Sequence, residues 1–384
     1  MVRPAVFFIF LCGALSGYLA QQDWQQLLNF TATQVATISA ALPETTTPTD
    51  PSDVSIVLES LTLEQKVGQL LMVGHWAQDY FQHTRHMLTT YQFGGIIIMD
   101  VDDKLASTVP IWTDAWQNTS NIPLLISIDQ EGGVVSRLTA PGYLQTSQRS
   151  IGTSEQAYDV GNSRGQELAS LGINTNLAPV IDFASTSSSF LYGRSFATSS
   201  LVSDYAAAMI LGHAKSNVLA IPKHFPGHAD NPDDSHFTLP IVDITAAEFP
   251  AHVKQFRDLL QTTQVDALMT AHVQFPKLDD QYPATLSYEI LSRQLRRDLG
   301  FDGVIITDDM TMKAITNQWT TNDAAVQAIK AGADIILFAA EPNAAMQAHD
   351  HLVAAVKSGD LSEELVDQAV TRVLELKQKQ GLLP

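Results

Sequence analysis

Eight short apolar runs constrain the fold of this 384-residue chain most tightly. Each is of strand length, and each is followed by a polar or glycine-rich stretch and then a helical pattern. They are Gln69 to Val73, Gly95 to Met99, Pro123 to Ile128, Ile173 to Val180, Val218 to Pro222, Ala267 to Ala271, Gly303 to Ile306 and Asp334 to Phe338. Runs that are apolar throughout suit parallel strands covered on both faces, and the intervening helices supply the crossovers that parallel pairing needs. Eight such units predict an α/β fold closed as a (β/α)8 barrel of the TIM type, a single catalytic domain; such barrels typically take about 250 residues, which the chain accommodates. An open doubly wound sheet shares this periodicity. The position of the polar residues favours the barrel: Asp129 and Glu131, Asp182, Lys223 and His224, His272, and Asp308 with Asp309 all follow the carboxyl ends of runs. Barrel enzymes place their chemistry on that rim.

The ends of the chain carry other signals. Arg3, the apolar run Ala5 to Leu15 and the small residues after it read as an export leader over 1–20, cleaved after Ser16 or Ala20. The run is shorter than the roughly 20 residues of a membrane span, so cleavage is expected rather than insertion. The mature protein is then secreted or periplasmic. Cys12, the only cysteine, lies within this leader, which leaves the mature chain no disulfide and no thiol nucleophile. Residues 21–53 combine an amphipathic stretch with a Pro/Thr-rich linker. The folded domain is expected over 54–384, its first helix opened by a Thr62/Gln65 capping box and its last running from Ser362 to Lys379. A formal charge of -19 argues against binding nucleic acid or an anionic membrane through a basic patch. A monomer is expected.

The densest polar cluster is Lys223-His224-Phe225-Pro226-Gly227-His228-Ala229-Asp230-Asn231-Pro232-Asp233-Asp234-Ser235-His236, on the loop after the fifth run. Its spacing matches neither a helical histidine pair at i,i+4 nor a common calcium loop, so no metal and no cofactor are expected. Asp234 and His236, two apart on an extended loop, can face the same way, the carboxylate orienting an imidazole that passes protons near neutral pH. A turn-stabilising hydrogen bond is the ordinary alternative for such a pair. Asp308 ends a buried strand, where a charge needs partners or a task. There it can serve as a glycosidase nucleophile. Asp309, one residue on, is placed for a helix N-cap.

Several separated motifs resemble glycoside hydrolase family 3, in its barrel-only bacterial β-N-acetylglucosaminidase branch. Leu61-Thr62-Leu63-Glu64-Gln65-Lys66-Val67-Gly68-Gln69 is similar to that family's opening helix, and Ile128-Asp129-Gln130-Glu131-Gly132-Gly133 to its sugar-binding strand end. Asn176 to Asp182, Gly193-Arg194-Ser195-Phe196, the Lys223 to His236 loop and Thr307-Asp308-Asp309-Met310 follow in the family's order. The resemblance implies that Asp308 attacks the anomeric carbon while His236, paired with Asp234, protonates the leaving oxygen and then deprotonates water. It implies Asp129 on outer sugar hydroxyls and Arg194, Lys223 and His224 on the ring hydroxyls or acetamido side, with Arg137 and His272 as further candidates. The implied substrate is a terminal β-linked N-acetylglucosamine of a peptidoglycan fragment or chitin-type oligosaccharide. Phosphorolysis on the same site and non-catalytic glycan binding are the alternatives. Ala229 stands where the family has glycine, Val134 where it has arginine, Ala197-Thr198-Ser199-Ser200 departs from its usual Gly-x-Asp-Pro, and Pro232 stiffens the acid/base loop.

Overall fold

The computed structural model describes residues 51–76, 81–102 and 105–383. The expected leader and nearly all of the expected linker lie outside the described residues. Pro51–Ser60 is a helix with Val54 buried in the core, so the last residues assigned to the linker form a first helical turn, where proline is well suited. The next helix, Leu63–Gln69, begins on the expected capping box: Gln65 N–H donates to Thr62 Oγ1 at 3.3 Å and Thr62 N–H donates to Gln65 Oε1 at 2.8 Å.

Eight parallel strands follow: β1 (Leu71–His75), β2 (Gly95–Ile98), β3 (Leu125–Ile128), β4 (Thr175–Asn176), β5 (Leu219–Ala220), β6 (Ala267–Met269), β7 (Val304–Asp309) and β8 (Ile335–Phe338). Sequential neighbours pair from β1 to β5 and from β6 to β8, and β8 pairs with β1. Past the end of β5 the chain closes the ring against β6, where Phe225 N–H donates to Met269 O at 2.8 Å and Ala271 N–H to Phe225 O at 2.7 Å. The eight apolar runs and the barrel are as expected.

Two runs differ in extent. β1 starts at Leu71 rather than Gln69, because the capped helix continues through Gln69. β4 is cut to Thr175–Asn176, since Pro179 supplies no N–H for a longer ladder; one further bridge joins Val180 to Lys223. The final helix spans Glu363–Lys379 with Ser362 as its N-cap. One large apolar core fills the barrel interior and the layer beneath the helices, and Val180, Ala184 and Leu191 form a small second cluster. Among the described residues no helix is long and apolar enough to cross a membrane.

Candidate active site

The carboxyl ends of the strands surround a cavity of about 240 Å³, lined by Asp129, Arg194, Lys223, His224, His236 and Asp308. Trp76, Met269 and Leu337 add apolar wall. That volume lies below the ~300 Å³ at which sites for drug-sized ligands begin, so it accommodates one small residue rather than an extended chain. A larger open groove, about 750 Å³, lies near Arg296, Asp302 and the final helix, on the amino side of the strands.

Local structure explains how each side chain reaches the cavity. Behind β3 the chain turns sharply at Gly132 (φ +85), where a Cβ would stand 2.1 Å from Thr146 O and 2.5 Å from Arg164 Nη2. Only glycine fits that turn. The loop is further pinned by Gln130, whose Oε1 accepts from Arg137 N–H at 2.9 Å and Leu138 N–H at 3.0 Å, and whose own N–H donates to Asn176 Oδ1 at 3.0 Å. Asn176 is backed in turn by the buried His213, 3.0 Å away.

Glu131, fully buried, is the organising anion. Its Oε2 accepts from Arg194 Nε at 3.0 Å, and its Oε1 from Arg194 Nη2 at 2.8 Å and from Lys223 Nζ at 2.7 Å. Burial pushes the Glu131 carboxyl up, but Arg194 and Lys223 outweigh this and hold it at about 2. Lys223 also donates to Asp129 Oδ1 at 2.5 Å, and Arg137 lies 3.7 Å from Asp129 Oδ2. Burial lowers the Lys223 ammonium, yet Asp129 and Glu131 leave it above its ordinary value. The two cations reaching the cavity floor are therefore fixed in charge and direction.

Asp182 is the second hub. Its Oδ2 accepts from His224 N–H and Nδ1 at 2.7 Å each, and its Oδ1 from His228 N–H at 2.8 Å and Nδ1 at 2.9 Å. Burial opposes ionisation of Asp182, but the two imidazoles hold its carboxyl well below the usual range. Among the described residues this trio alone brings three potential metal-ligating side chains within reach of one ion. Each oxygen already takes two hydrogen bonds and both Nδ1 atoms are engaged as donors, so the trio is built to turn His224 Nε2 toward the cavity, 3.4 Å from Arg194 Nη2.

Asp308 stands near the end of β7, beside a register shift between Ile306 and Asp309 that carries it to the cavity. Its Oδ1 accepts from Asp309 N–H at 2.8 Å, and its other oxygen has no protein donor among the described residues. Burial pushes this carboxyl up, while His224, His272, the Asp309 amide and Lys223 bring it to about 2. Burial lowers both histidines. At neutral pH the Asp309 amide and the Lys223 charge are therefore the lasting contributors, and Asp308 is ionised.

Asp309 is not the expected N-cap. Its Oδ1 accepts from Thr311 N–H and Oγ1, and its Oδ2 from Ala340 N–H, tying the end of β7 to the end of β8. Met312 precedes the short helix Lys313–Thr316 instead. His272, proposed for the pocket, is fully buried beneath it, with Nδ1 2.9 Å from Thr285 Oγ1 and Nε2 3.0 Å from Asp309 O. Both ring nitrogens are engaged, so it supports the β7 end rather than lining the cavity.

Asp234 and His236 do pair, but in a tight turn rather than an extended segment. Phe237 N–H donates to Asp234 O at 2.9 Å and Thr238 N–H to the same oxygen at 3.1 Å. Asp234 Oδ1 accepts from His236 N–H at 2.9 Å and faces His236 Nδ1 at 2.6 Å, so turn stabilisation and imidazole orientation coexist. Asp234 stands behind the imidazole, outside the cavity lining. The turn is docked on the segment after β7: Lys313 N–H donates to His236 O at 3.3 Å and Ala314 N–H to Ser235 O at 3.2 Å.

Ala229 does adopt a left-handed backbone, φ +55, in place of the glycine expected there. Its neighbour Asp230 accepts from Ser185 N–H at 2.6 Å and Thr186 N–H at 3.2 Å, and also from the Ser185 hydroxyl. Glu131, Asp182 and Asp230 were not among the site residues proposed from sequence. Glu131 and Asp182 showed only as rim carboxylates, and their partners lie 42 to 92 positions away.

A parallel barrel with a carboxylate and an imidazole on one sugar-sized cavity defines a glycoside hydrolase type of site. The sequence pattern of the glycosyl hydrolase family 3 N-terminal domain matches residues 62–376, and the chain belongs to that family. It is 31% identical over 325 residues to beta-hexosaminidase A of Pseudoalteromonas piscicida, covering 76% of this chain and 54% of that protein. It is 31% identical to beta-hexosaminidase LpqI of Mycobacterium tuberculosis, covering 90% of this chain and 92% of the relative. Among solved structures, a glycoside hydrolase family 3 beta-N-acetylglucosaminidase from Paenibacillus sp. is 38% identical, with a TM-score of 0.78. That alignment covers 84% of this chain and 63% of the other. The chain thus spans just over half to nine-tenths of these relatives.

Proposed function

We propose that this chain is a retaining β-N-acetylglucosaminidase that releases terminal N-acetylglucosamine from chitin-type oligosaccharides or peptidoglycan fragments outside the cytoplasm. The observation that carries this is an ionised Asp308 and a carboxylate-oriented His236 on one cavity. Arg194, Lys223, His224 and Asp129 hold the sugar ring, and the Asp308 oxygen without a protein donor attacks the anomeric carbon. The bond to the leaving oxygen breaks as His236 Nε2 gives that oxygen its proton, which leaves a covalent glycosyl-enzyme. The now neutral imidazole accepts a proton from water, whose oxygen displaces Asp308 and regenerates both groups. Export rests on the leader at 1–20.

Asp308→Asn should lower kcat by roughly 10³-fold or more on an aryl β-N-acetylglucosaminide, and near-normal turnover would overturn the nucleophile. His236→Ala should lower kcat/KM on poor leaving groups by about 10²- to 10⁴-fold and spare kcat/KM on activated ones, whose kcat still falls because the same imidazole serves the water step. Analysis of products from N,N′-diacetylchitobiose and from muropeptides in phosphate-free buffer checks both substrate and hydrolysis.

A further inference from the structure

We infer that Phe237 is a binding platform for the pyranose ring that leaves, the reducing-side N-acetylglucosamine of a chitin-type oligosaccharide. This rests on the reading of His236 as the proton donor, because a donor to the glycosidic oxygen must have the departing sugar against its outer side. Phe237 follows it directly, is 75% exposed, and has its ring centroid 6.4 Å from the imidazole with the planes 52° apart. A pyranose presents a face of C–H groups with no strong polar demand. A phenyl ring beside it covers that face without needing a hydrogen-bond partner.

One exposed phenyl group would be ordinary on any surface. Two observations separate Phe237 from that case. First, its backbone is held on both sides: its own N–H is bonded to Asp234 O, the preceding carbonyl accepts from Lys313 N–H, and Asn231 Nδ2 closes the base of the excursion on Ile241 O at 2.8 Å. The backbone that carries the ring is ordered before a ligand arrives, so binding there costs little ordering entropy. Second, seven large apolar side chains are exposed among the described residues, and Val134, Phe237 and Ile241 lie on the two loops whose Val135 and His236 line the cavity. The exposed phenyl ring thus stands beside the imidazole, while the cavity floor is ionic. A floor of fixed charges holds the transferred sugar by its hydroxyls, and the exposed phenyl face suits the C–H face of the departing one. Contact with a part of the substrate that does not itself react can be used to lower the barrier, so its loss is seen in kcat/KM on substrates that carry that part.

The test compares Phe237→Ala, Phe237→Tyr and His236→Ala on two substrates, N,N′-diacetylchitobiose and N-acetyl-β-glucosaminyl fluoride. The fluoride has no leaving ring and needs little proton donation. Phe237→Ala should lose about tenfold in kcat/KM on chitobiose and stay within about twofold on the fluoride, and Phe237→Tyr should restore chitobiose. Equal losses on both substrates, or no loss on chitobiose, would overturn the platform. His236→Ala separates the underlying reading. If it splits the two substrates in kcat/KM and Phe237→Ala does not, the platform alone fails; if it lowers kcat/KM equally on both, the proton-donor role fails with it.

Discussion

Glu131 offers the sharpest quantitative test, because opposing effects meet in one buried carboxylate. Burial alone would raise its pKa above the ordinary 4.5, yet Arg194 and Lys223 bring it to about 2. Lowering from 4.5 to about 2, at about 1.4 kcal/mol for each tenfold, corresponds to roughly 3–4 kcal/mol of net attraction beyond the cost of desolvation. The sign follows from proton binding. The folded carboxyl is more acidic than the unfolded one, so this stability is fully present above pH ~4.5 and is lost as pH falls through about 2. Glu131→Gln keeps the shape and removes the charge, leaving Arg194 and Lys223 without their shared anion. It should destabilise the protein by about 3 kcal/mol at pH 7, within the range seen when one partner of a buried pair is removed. By pH 3 the difference from wild type should shrink to roughly half. Turnover should fall by about 10²-fold, because both cations lose the fork that aims them into the cavity. Urea unfolding of the two proteins at pH 7 and pH 3, with kcat/KM at pH 7, gives the answer. A stability change below about 1 kcal/mol, or one that is the same at both pH values, would refute the reasoning.

Two further outcomes follow from buried or strained positions elsewhere. Lys377, fully buried in the final helix with Gln69 Oε1 at 2.7 Å, is pushed down by burial to about 7. The unfolded chain therefore binds more protons between about pH 7 and 10.5, and wild-type stability should rise across that window. Lys377→Met should remove that rise and stabilise the protein at pH 7 by about 1–3 kcal/mol, after allowing for the unpaired Gln69 oxygen. Denaturation of both proteins at several pH values checks this, and a destabilised variant would count against it. Ala229→Gly relieves a left-handed alanine and should stabilise by up to ~1 kcal/mol in the same assay; a loss larger than that would show the methyl group to be packing rather than strain.

What could be read from sequence was whatever depends on local order. The apolar runs marked all eight strands because burial on both faces leaves a continuous signature, and the Thr62/Gln65 box marked a helix start because its two bonds span three residues. Strand ends were less legible. The start of β1 was set by how far a capped helix continued, and the length of β4 by a proline within the run. The hubs were least legible. Nothing near Glu131 in sequence announces Arg194 or Lys223, and nothing near Asp182 announces His228; closure of the barrel brings them together. The same limit applies to His272, which as a strand-end histidine looks like a ligand until Thr285 and the Asp309 carbonyl take both its nitrogens.

The pairing of charges on the cavity floor bears on the nucleophile role proposed for Asp308. Lys223 directs its ammonium to Asp129 at 2.5 Å and Glu131 at 2.7 Å, and Arg194 directs its fork to Glu131. The two cations are balanced by two carboxylates, so neither forms a direct ion pair with Asp308. Had Lys223 closed on Asp308 instead, the carboxylate would be ionised but masked, and its lone pair would be held by an ammonium. As built, Lys223 acts on it only through the field, and the one direct bond on Asp308 Oδ1 comes from a neutral amide. Asp308 then keeps an unmasked negative charge, which on the proposed mechanism would lie beneath the anomeric carbon, where positive charge develops as the glycosidic bond breaks. On the proposed mechanism, Glu131 and Asp129 would serve the reaction by occupying cations that would otherwise mask Asp308.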